Sequence, residues 1–148
     1  MENINQMKYF SMPKHLKSYK ITYNLNELDP PKSHKLNAAN LIANYFESNL
    51  VFIRKAPCAT PDLYIVKTHQ LWELKSPLGN GKRTISNNLR EASSQSKNVI
   101  LDLSRCKMNN ERALSKVQGF INSGDAHIKK LIVIKKSGEV VDFLLQKR

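Results

Sequence analysis

Two carboxylates and an amine lie close together in residues 61–75, which read PDLYIVKTHQLWELK. They are Asp62, Glu73 and Lys75, in a chain of 148 residues with a formal net charge of +12. Cleaving a phosphodiester requires neutralising charge on a pentacovalent phosphorus and managing two protons. Acids and an amine side by side on so basic a protein therefore favour phosphodiester chemistry.

A predicted β-hairpin would bring these groups together. Apolar runs at residues 63–66 and 71–74 flank a polar stretch, which is typical of two antiparallel strands and their loop. A register with Lys67 opposite Gln70 sorts the side chains onto two faces. The polar face would carry Asp62, Tyr64, Glu73 and Lys75. The apolar face would carry Leu63, Ile65, Trp72 and Leu74. The structural alternative is a solvated strand face with an ordinary cross-strand Asp–Lys pair.

The charge balance points to a polyanionic partner. The chain has 24 Lys and Arg against 12 Asp and Glu, an excess that favours nucleic acid or an anionic membrane surface. No apolar run approaches the roughly 18 residues needed to cross a bilayer, and the first residues lack the apolar core of a secretion signal. We therefore predict no membrane association. Cys58 and Cys106 lack metal-ligand spacing, which favours reduced thiols in a cytoplasmic protein.

The order of elements predicts an α+β fold with a central, mostly antiparallel sheet and flanking helices. Residues 1–35 contain three prolines and are predicted to form an irregular N-terminal arm, with a weak strand within 19–25. Residues 36–148 are predicted to form the domain proper. Apolar periodicity predicts helices at 36–48, 84–96 and 111–122. Short apolar runs predict strands at 50–53, 63–66, 71–74, 98–103, 131–135 and 139–145.

The loop and helix that follow the hairpin supply further polar groups. In GNGKRT, Gly79 and Gly81 permit close backbone approach, and the loop leads into a helix N-terminus, which attracts anions. A polar stripe at helical spacing comprises Thr84, Asn88, Glu91 and Gln95. The side chains assigned to substrate binding are Lys82, Thr84, Asn88, Arg90, Tyr64 and His34. The structural alternatives are a helix cap for Thr84 and plain surface positions for Tyr64 and His34.

Residues 60–103, from TPDLYI through LWELKSPLGNGKRTISNNLREASSQSKNVILDL, resemble the C-terminal tRNase domain of contact-dependent growth inhibition toxins. Similar domains occur at the ends of phage and mobile-element head proteins. The likeness extends to residues 33–53 and 128–143 and leaves the N-terminal arm outside. It implies a nuclease-like domain that cleaves tRNA in the cytoplasm, as a toxin or a mobile-element effector. A free toxin of this kind would need an immunity protein as a partner.

The same residues look like the PD-(D/E)xK nuclease signature. Asp62 would belong to its first half, Glu73 and Lys75 to its second, and Gln95 would be a frequent extra member on the following helix. This resemblance implies Mg²⁺ bound by Asp62 and Glu73, while Lys75 supports the nucleophile and the scissile phosphate.

Other toxin tRNases, of the barnase-like and EndoU-like group, work without a metal. In that mechanism Lys75, Arg83 and Arg90 would supply positive charge, and the ribose 2′-hydroxyl would be the nucleophile. Glu73 or a histidine would then be the base. The residues leave both mechanisms open.

Three functions follow from these observations. A ribonuclease acting on tRNA is the leading hypothesis. The alternatives are a metal-dependent PD-(D/E)xK-type DNase and a non-catalytic module that binds nucleic acid. The predicted catalytic set is Asp62, Glu73, Lys75, Arg83 and Gln95. Only its acids separate the enzymes from the binding module, because a protein that merely binds phosphate has no need of carboxylates beside it.

Overall fold

A computed structural model describes residues 18–23, 30–54, 60–124 and 127–144. Within these ranges a seven-stranded sheet carries three helices, which confirms the predicted α+β class. The strands lie side by side in chain order: β1 (Ile21–Thr22), β2 (Leu50–Phe52), β3 (Leu63–Ile65), β4 (Gln70–Lys75), β5 (Asn98–Asp102), β6 (Lys130–Ile134) and β7 (Val140–Leu144). The helices are α1 (Ser33–Phe46), α2 (Thr84–Ser93) and α3 (Asn110–Ser123).

The sheet of the described residues combines antiparallel hairpins with parallel crossovers. Strands β2–β3, β3–β4 and β6–β7 pair antiparallel. Strands β1–β2, β4–β5 and β5–β6 pair parallel. Each parallel pair is joined through one helix, because the chain must return to the same end of the sheet before the next strand begins. The C-terminal ends of β4 and β5 therefore lie next to each other, at the same end of the sheet.

Helices cover both faces of the sheet and form two apolar cores. Helix α1 packs on one face, and helices α2 and α3 pack on the other. Strand β4 contributes to both faces, since Trp72 and Leu74 lie in the core beneath α1 whereas Glu73 and Lys75 point away from it. The predicted apolar face of the hairpin is confirmed, with Leu63, Ile65, Trp72 and Leu74 all buried in that core.

The register of the hairpin differs from the predicted one by two residues. Tyr64 pairs with Leu71 rather than with Glu73, and Ile65 pairs with Gln70. The connection is a four-residue turn closed by His69, which has φ 58° and donates its backbone N–H to the Ile65 carbonyl at 2.9 Å. A slip of two residues restores the side-chain period of a strand, so every side chain keeps its predicted face.

The N-terminal part of the chain only partly overlaps the described ranges. Residues 1–17 and 24–29 of the predicted arm lie outside them, as does Cys58, so the division into an arm and a domain stays a prediction. Strand β1 pairs parallel with β2, and α1 begins at Ser33, three residues before its predicted start. None of the helices in the described ranges has the length and apolar character needed to cross a membrane.

Candidate functional site

Asp62 immediately precedes β3 and Glu73 lies on the neighbouring strand β4, and both residues line the same cavity. The backbone of Asp62 bridges two strands: its N–H donates to the Trp72 carbonyl at 3.1 Å, and its carbonyl accepts from Ile53 at 2.8 Å. Its Oδ2 also accepts the Leu74 N–H at 3.0 Å. Both acids are buried, with 4% of Asp62 and 2% of Glu73 exposed. The main chain therefore fixes Asp62 beside Glu73.

Each buried acid faces its own lysine. Lys35 Nζ lies 3.6 Å from Asp62 Oδ1, and Lys75 Nζ lies 3.8 Å from Glu73 Oε2. Lys75 also donates a hydrogen bond to Glu91 Oε1 at 2.8 Å, and this bond lowers the pKa of Glu91. Burying a carboxylate without a cation lowers the free energy of unfolding by roughly several kcal/mol. The two lysines offset this cost at Asp62 and Glu73.

These groups line an open cavity of about 430 Å³ at the C-terminal end of β4, which we call the acidic cavity. Its lining is strongly polar and comprises Lys32, His34, Lys35, Asp62, Glu73, Leu74, Lys75, Ser76, Asn88, Gln95 and Arg105. Of the predicted site residues, the cavity brings together Asp62, Glu73, Lys75, Gln95, Asn88 and His34. Helix α1 points its N-terminus at this cavity, and a helix N-terminus is itself a favourable place for a phosphate.

Two of the remaining predicted residues take structural roles. The Thr84 hydroxyl accepts the Gly81 N–H at 3.0 Å and so holds the GNGKRT loop against α2. A Cβ on Gly79 would lie 2.9 Å from that hydroxyl, which explains why a glycine stands there. The Tyr64 hydroxyl lies 2.7 Å from His69 Nδ1, at the turn of the hairpin.

The three other predicted cations lie around α2, away from the acidic cavity. Lys82 and Arg90 line a separate cavity between α2 and α3. The Arg90 guanidinium lies 5.6 Å from the centroid of the Phe120 ring. Arg83 is exposed at the residue that precedes α2 and lines neither cavity.

Sequence reasoning missed four charged residues of the site: Lys32, Lys35, Glu91 and Arg105. Lys32 and Lys35 flank His34, and this basic run before a predicted helix was the available signal. Arg105 follows β5, and its proximity depends on β4 and β5 being parallel, because only then do their ends meet. An expectation of mostly antiparallel strands gave no reason to look there. Glu91 was assigned to the polar stripe without a role.

His34 lies in surroundings that keep its ring uncharged at neutral pH. Burial is the largest cause that lowers the pKa of its imidazole, followed by the nearby cations Arg105 and Lys35, whereas Asp102 raises it. The ring is consequently neutral at neutral pH, and a neutral imidazole beside carboxylates and cations can act as a general base.

The acids suit a hard cation that keeps part of its own hydration. Mg²⁺ is commonly bound through one or two carboxylates, with water and substrate phosphate completing its six ligands. Asp62 and Glu73 are the two carboxylates of the cavity that could hold such a cation. Among the described residues, no cluster of three or more His, Cys, Asp and Glu side chains could enclose a metal. The donors therefore fit Mg²⁺ shared with a substrate and do not fit a structural zinc site.

The chain matches a known family and a known fold. A family model described as the contact-dependent growth inhibition CdiA C-terminal domain matches residues 59–140, more than half of the chain. The fold resembles that of a "CdiA-CT/CdiI toxin and immunity complex from Burkholderia pseudomallei", with a TM-score of 0.54 and 17% sequence identity. The alignment covers 84% of this chain and 98% of that one, and an identity this low supports a shared fold only. No curated protein matches the sequence significantly.

Proposed function

This chain belongs to the contact-dependent growth inhibition CdiA C-terminal domain family, and we propose that it is a toxic ribonuclease that hydrolyses phosphodiester bonds of tRNA. The observation that supports a nuclease best is the cavity itself, in which two buried acids stand among cations and a neutral histidine. The substrate is proposed from the resemblance of residues 60–103 to tRNase toxins and from the net charge of +12. The proposed place of action is the cytoplasm, where tRNA is found.

The electrostatics of the cavity explain why acids and cations occur together. Lys32, Lys35, Lys75 and Arg105 line the cavity and attract a phosphate, whereas Asp62 and Glu73 repel it. A cation between the acids and the phosphate resolves this conflict, so we assign Asp62 and Glu73 as the residues that hold Mg²⁺. When bound there, Mg²⁺ would polarise a phosphate oxygen and make an adjacent water more acidic.

The side chains of the chain itself supply the other functions. Lys75 is held between Glu73 and Glu91, and its ammonium stabilises the negative charge that develops on the phosphate oxygens. His34 accepts the proton of the attacking water as the new P–O bond forms, and the ribose oxygen that leaves takes a proton from solvent water. The amides of Asn88 and Gln95 face the same cavity and can donate to or accept from polar groups of the bound nucleotide.

A comparison of two substrates in two buffers tests the proposed activity. Purified protein is incubated with tRNA and with plasmid DNA, each in Mg²⁺ and in EDTA. We expect cleavage of tRNA in Mg²⁺ alone. Cleavage of plasmid with intact tRNA would indicate the DNase alternative, and no cleavage of either at micromolar protein would leave only a nucleic-acid-binding module. Cleavage that persists in EDTA would refute the metal role of Asp62 and Glu73 and favour the 2′-hydroxyl mechanism.

An immunity protein is the proposed protein partner. The similar solved structure is a complex of a CdiA-CT toxin with a CdiI immunity protein. A toxin active in the cytoplasm must be inhibited in the cell that makes it, and the net charge of +12 favours an acidic inhibitor that covers the cavity. Charge reversal at Lys32 and Arg105 should then weaken the complex with an immunity protein that protects cells from this toxin, measured by calorimetry. Unchanged affinity would place the inhibitor elsewhere.

A further inference from the structure

A second cavity of about 330 Å³ lies on another side of helix α2, between α2 and α3. We call it the α2–α3 groove, and its lining comprises Lys82, Ser86, Arg90, Ser115, Lys116, Gly119, Phe120 and Ser123. It shares no lining residue with the acidic cavity. Helix α2 nevertheless serves both, because Asn88 faces the acidic cavity whereas Ser86 and Arg90 face the groove.

The charge of the groove differs in kind from that of the acidic cavity. Three cationic side chains line it, and its lining contains no carboxylate. Within the described ranges, neither Lys82 nor Lys116 forms an ion pair, whereas Lys35 and Lys75 are each paired with an acid. The lysines of the groove therefore present uncompensated positive charge, which attracts polyanions.

The shape of the groove allows close approach by an extended chain. Three of its wall residues are serines, and Gly119 stands in the middle of α3. A Cβ added to Gly119 would meet no atom within 4 Å, so packing does not require the glycine. A glycine inside a helix is less favourable than an alanine. A small residue at this position leaves the wall of the groove open, whereas a long side chain would enter it.

We propose that the α2–α3 groove binds the sugar–phosphate backbone of RNA beside the linkage that is cleaved, as a subsite separate from the acidic cavity. This inference rests on the proposed function, because it takes the substrate to be RNA. A helix with its side chains is about 10–12 Å across. An RNA strand that occupies both cavities must therefore pass over α2. Lys82 lies just before the N-terminal end of that helix.

The test measures binding of labelled tRNA over a series of salt concentrations. Binding is measured in EDTA and repeated in the Lys75→Ala background, so that the RNA stays intact. The double variant Lys82→Ala/Lys116→Ala should reduce the slope of log K against log salt by about 1.4–1.8, since each lost phosphate contact removes about 0.7–0.9. The matched control, Lys67→Ala/Lys97→Ala, removes two exposed lysines that line neither cavity and should leave the slope unchanged.

A second pair of variants tests the shape. Gly119→Leu places a side chain in the open groove and should weaken tRNA binding about ten-fold, equivalent to 1.4 kcal/mol. Gly119→Ala should bind as wild type. Both substitutions favour the helix, so loss of folding does not confuse the result.

The failure of this inference can be told apart from failure of the proposed function. If wild-type protein binds tRNA but cleaves nothing, the proposed function is refuted. The salt dependence of binding in the lysine variants still shows whether the α2–α3 groove binds RNA. Wild-type affinity and slope in both the lysine variant and Gly119→Leu would overturn the groove subsite. Wild-type protein that does not bind tRNA at all would overturn both.

Discussion

The two cavities beside helix α2 hold charge in opposite ways. The acidic cavity draws its side chains from α1, the hairpin, α2 and the turn after β5, and it buries two carboxylates against two lysines. The α2–α3 groove uses two helices and the preceding loop, and its lysines form no ion pair with any acid in the described part of the chain. Buried, paired charges are costly to assemble, whereas exposed lysines are not. We therefore assign chemistry to the acidic cavity and binding of the RNA backbone to the groove.

Lys75→Ala should have the largest effect, because Lys75 contacts both Glu73 and Glu91. We expect tRNA cleavage to fall by about 10²–10³-fold, as for the loss of one donor to a transition-state oxyanion. Only 19% of the side chain is exposed, so its removal should also lower the free energy of unfolding by about 1–3 kcal/mol. Lys75→Arg keeps the charge and should retain the stability. Full cleavage by the alanine variant would remove Lys75 from the mechanism.

Asp62→Asn should abolish metal binding without unfolding the protein. The asparagine carbonyl can still accept the Leu74 N–H, and the freed Lys35 side chain remains 31% exposed to solvent. Titration calorimetry should detect Mn²⁺ binding to wild type and none to the variant. The control Asp142→Asn changes an exposed acid outside the acidic cavity and should bind Mn²⁺ as wild type. Equal Mn²⁺ affinity of wild type and Asp62→Asn would contradict the metal assignment.

Glu91→Gln should reduce cleavage by a smaller factor, about three- to ten-fold, through kcat rather than KM. Glu91 orients Lys75 by a hydrogen bond but is 70% exposed, so stability should change by less than about 1 kcal/mol. The matched control is Glu139→Gln, which breaks the ion pair with Lys135 at 3.3 Å. Steady-state kinetics of both variants make the comparison, and equal kcat in Glu91→Gln and wild type would mean that Lys75 needs no such orientation.

The smallest expected effect is on stability: protonation of His34 should make the free energy of unfolding depend on pH. Its pKa is lowered from 6.5 in the folded protein, so the unfolded chain binds more protons between the folded value and 6.5. The contribution of His34 to the free energy of unfolding is therefore complete above pH 6.5 and is lost as pH falls through that window. Denaturant titrations above and below pH 6.5 should show that the free energy of unfolding falls less with decreasing pH in His34→Gln than in wild type. An identical fall in both proteins would contradict this role of His34.

The sequence predicted the faces of the hairpin better than its register. Alternation along a strand places Asp62, Glu73 and Lys75 on one face in either register, because the two registers differ by two residues. The register itself depends on His69 adopting a positive φ, a conformation that histidine adopts more often than most residues but that its presence in a loop does not require.

The other differences between the predicted and the observed site have two causes. Some residues are brought to the site by tertiary structure, and others were assigned to it only because they are close in sequence. The placement of α1 brings Lys35 to Asp62, and the parallel β4–β5 pair brings Arg105 to the same cavity; both are long-range features. Arg90 was grouped with Asn88, although residues two apart on a helix do not share a face. That rule alone would have separated them.

The rate of tRNA cleavage by Glu73→Gln under single-turnover conditions in Mg²⁺ tests the central claim most directly. Glutamine keeps the size of the buried side chain and removes its charge. We predict a fall of at least about 10²-fold relative to wild type, while the affinity for tRNA stays within a few-fold because the α2–α3 groove is intact. Cleavage at the wild-type rate would contradict the assignment of the chemistry to the acidic cavity.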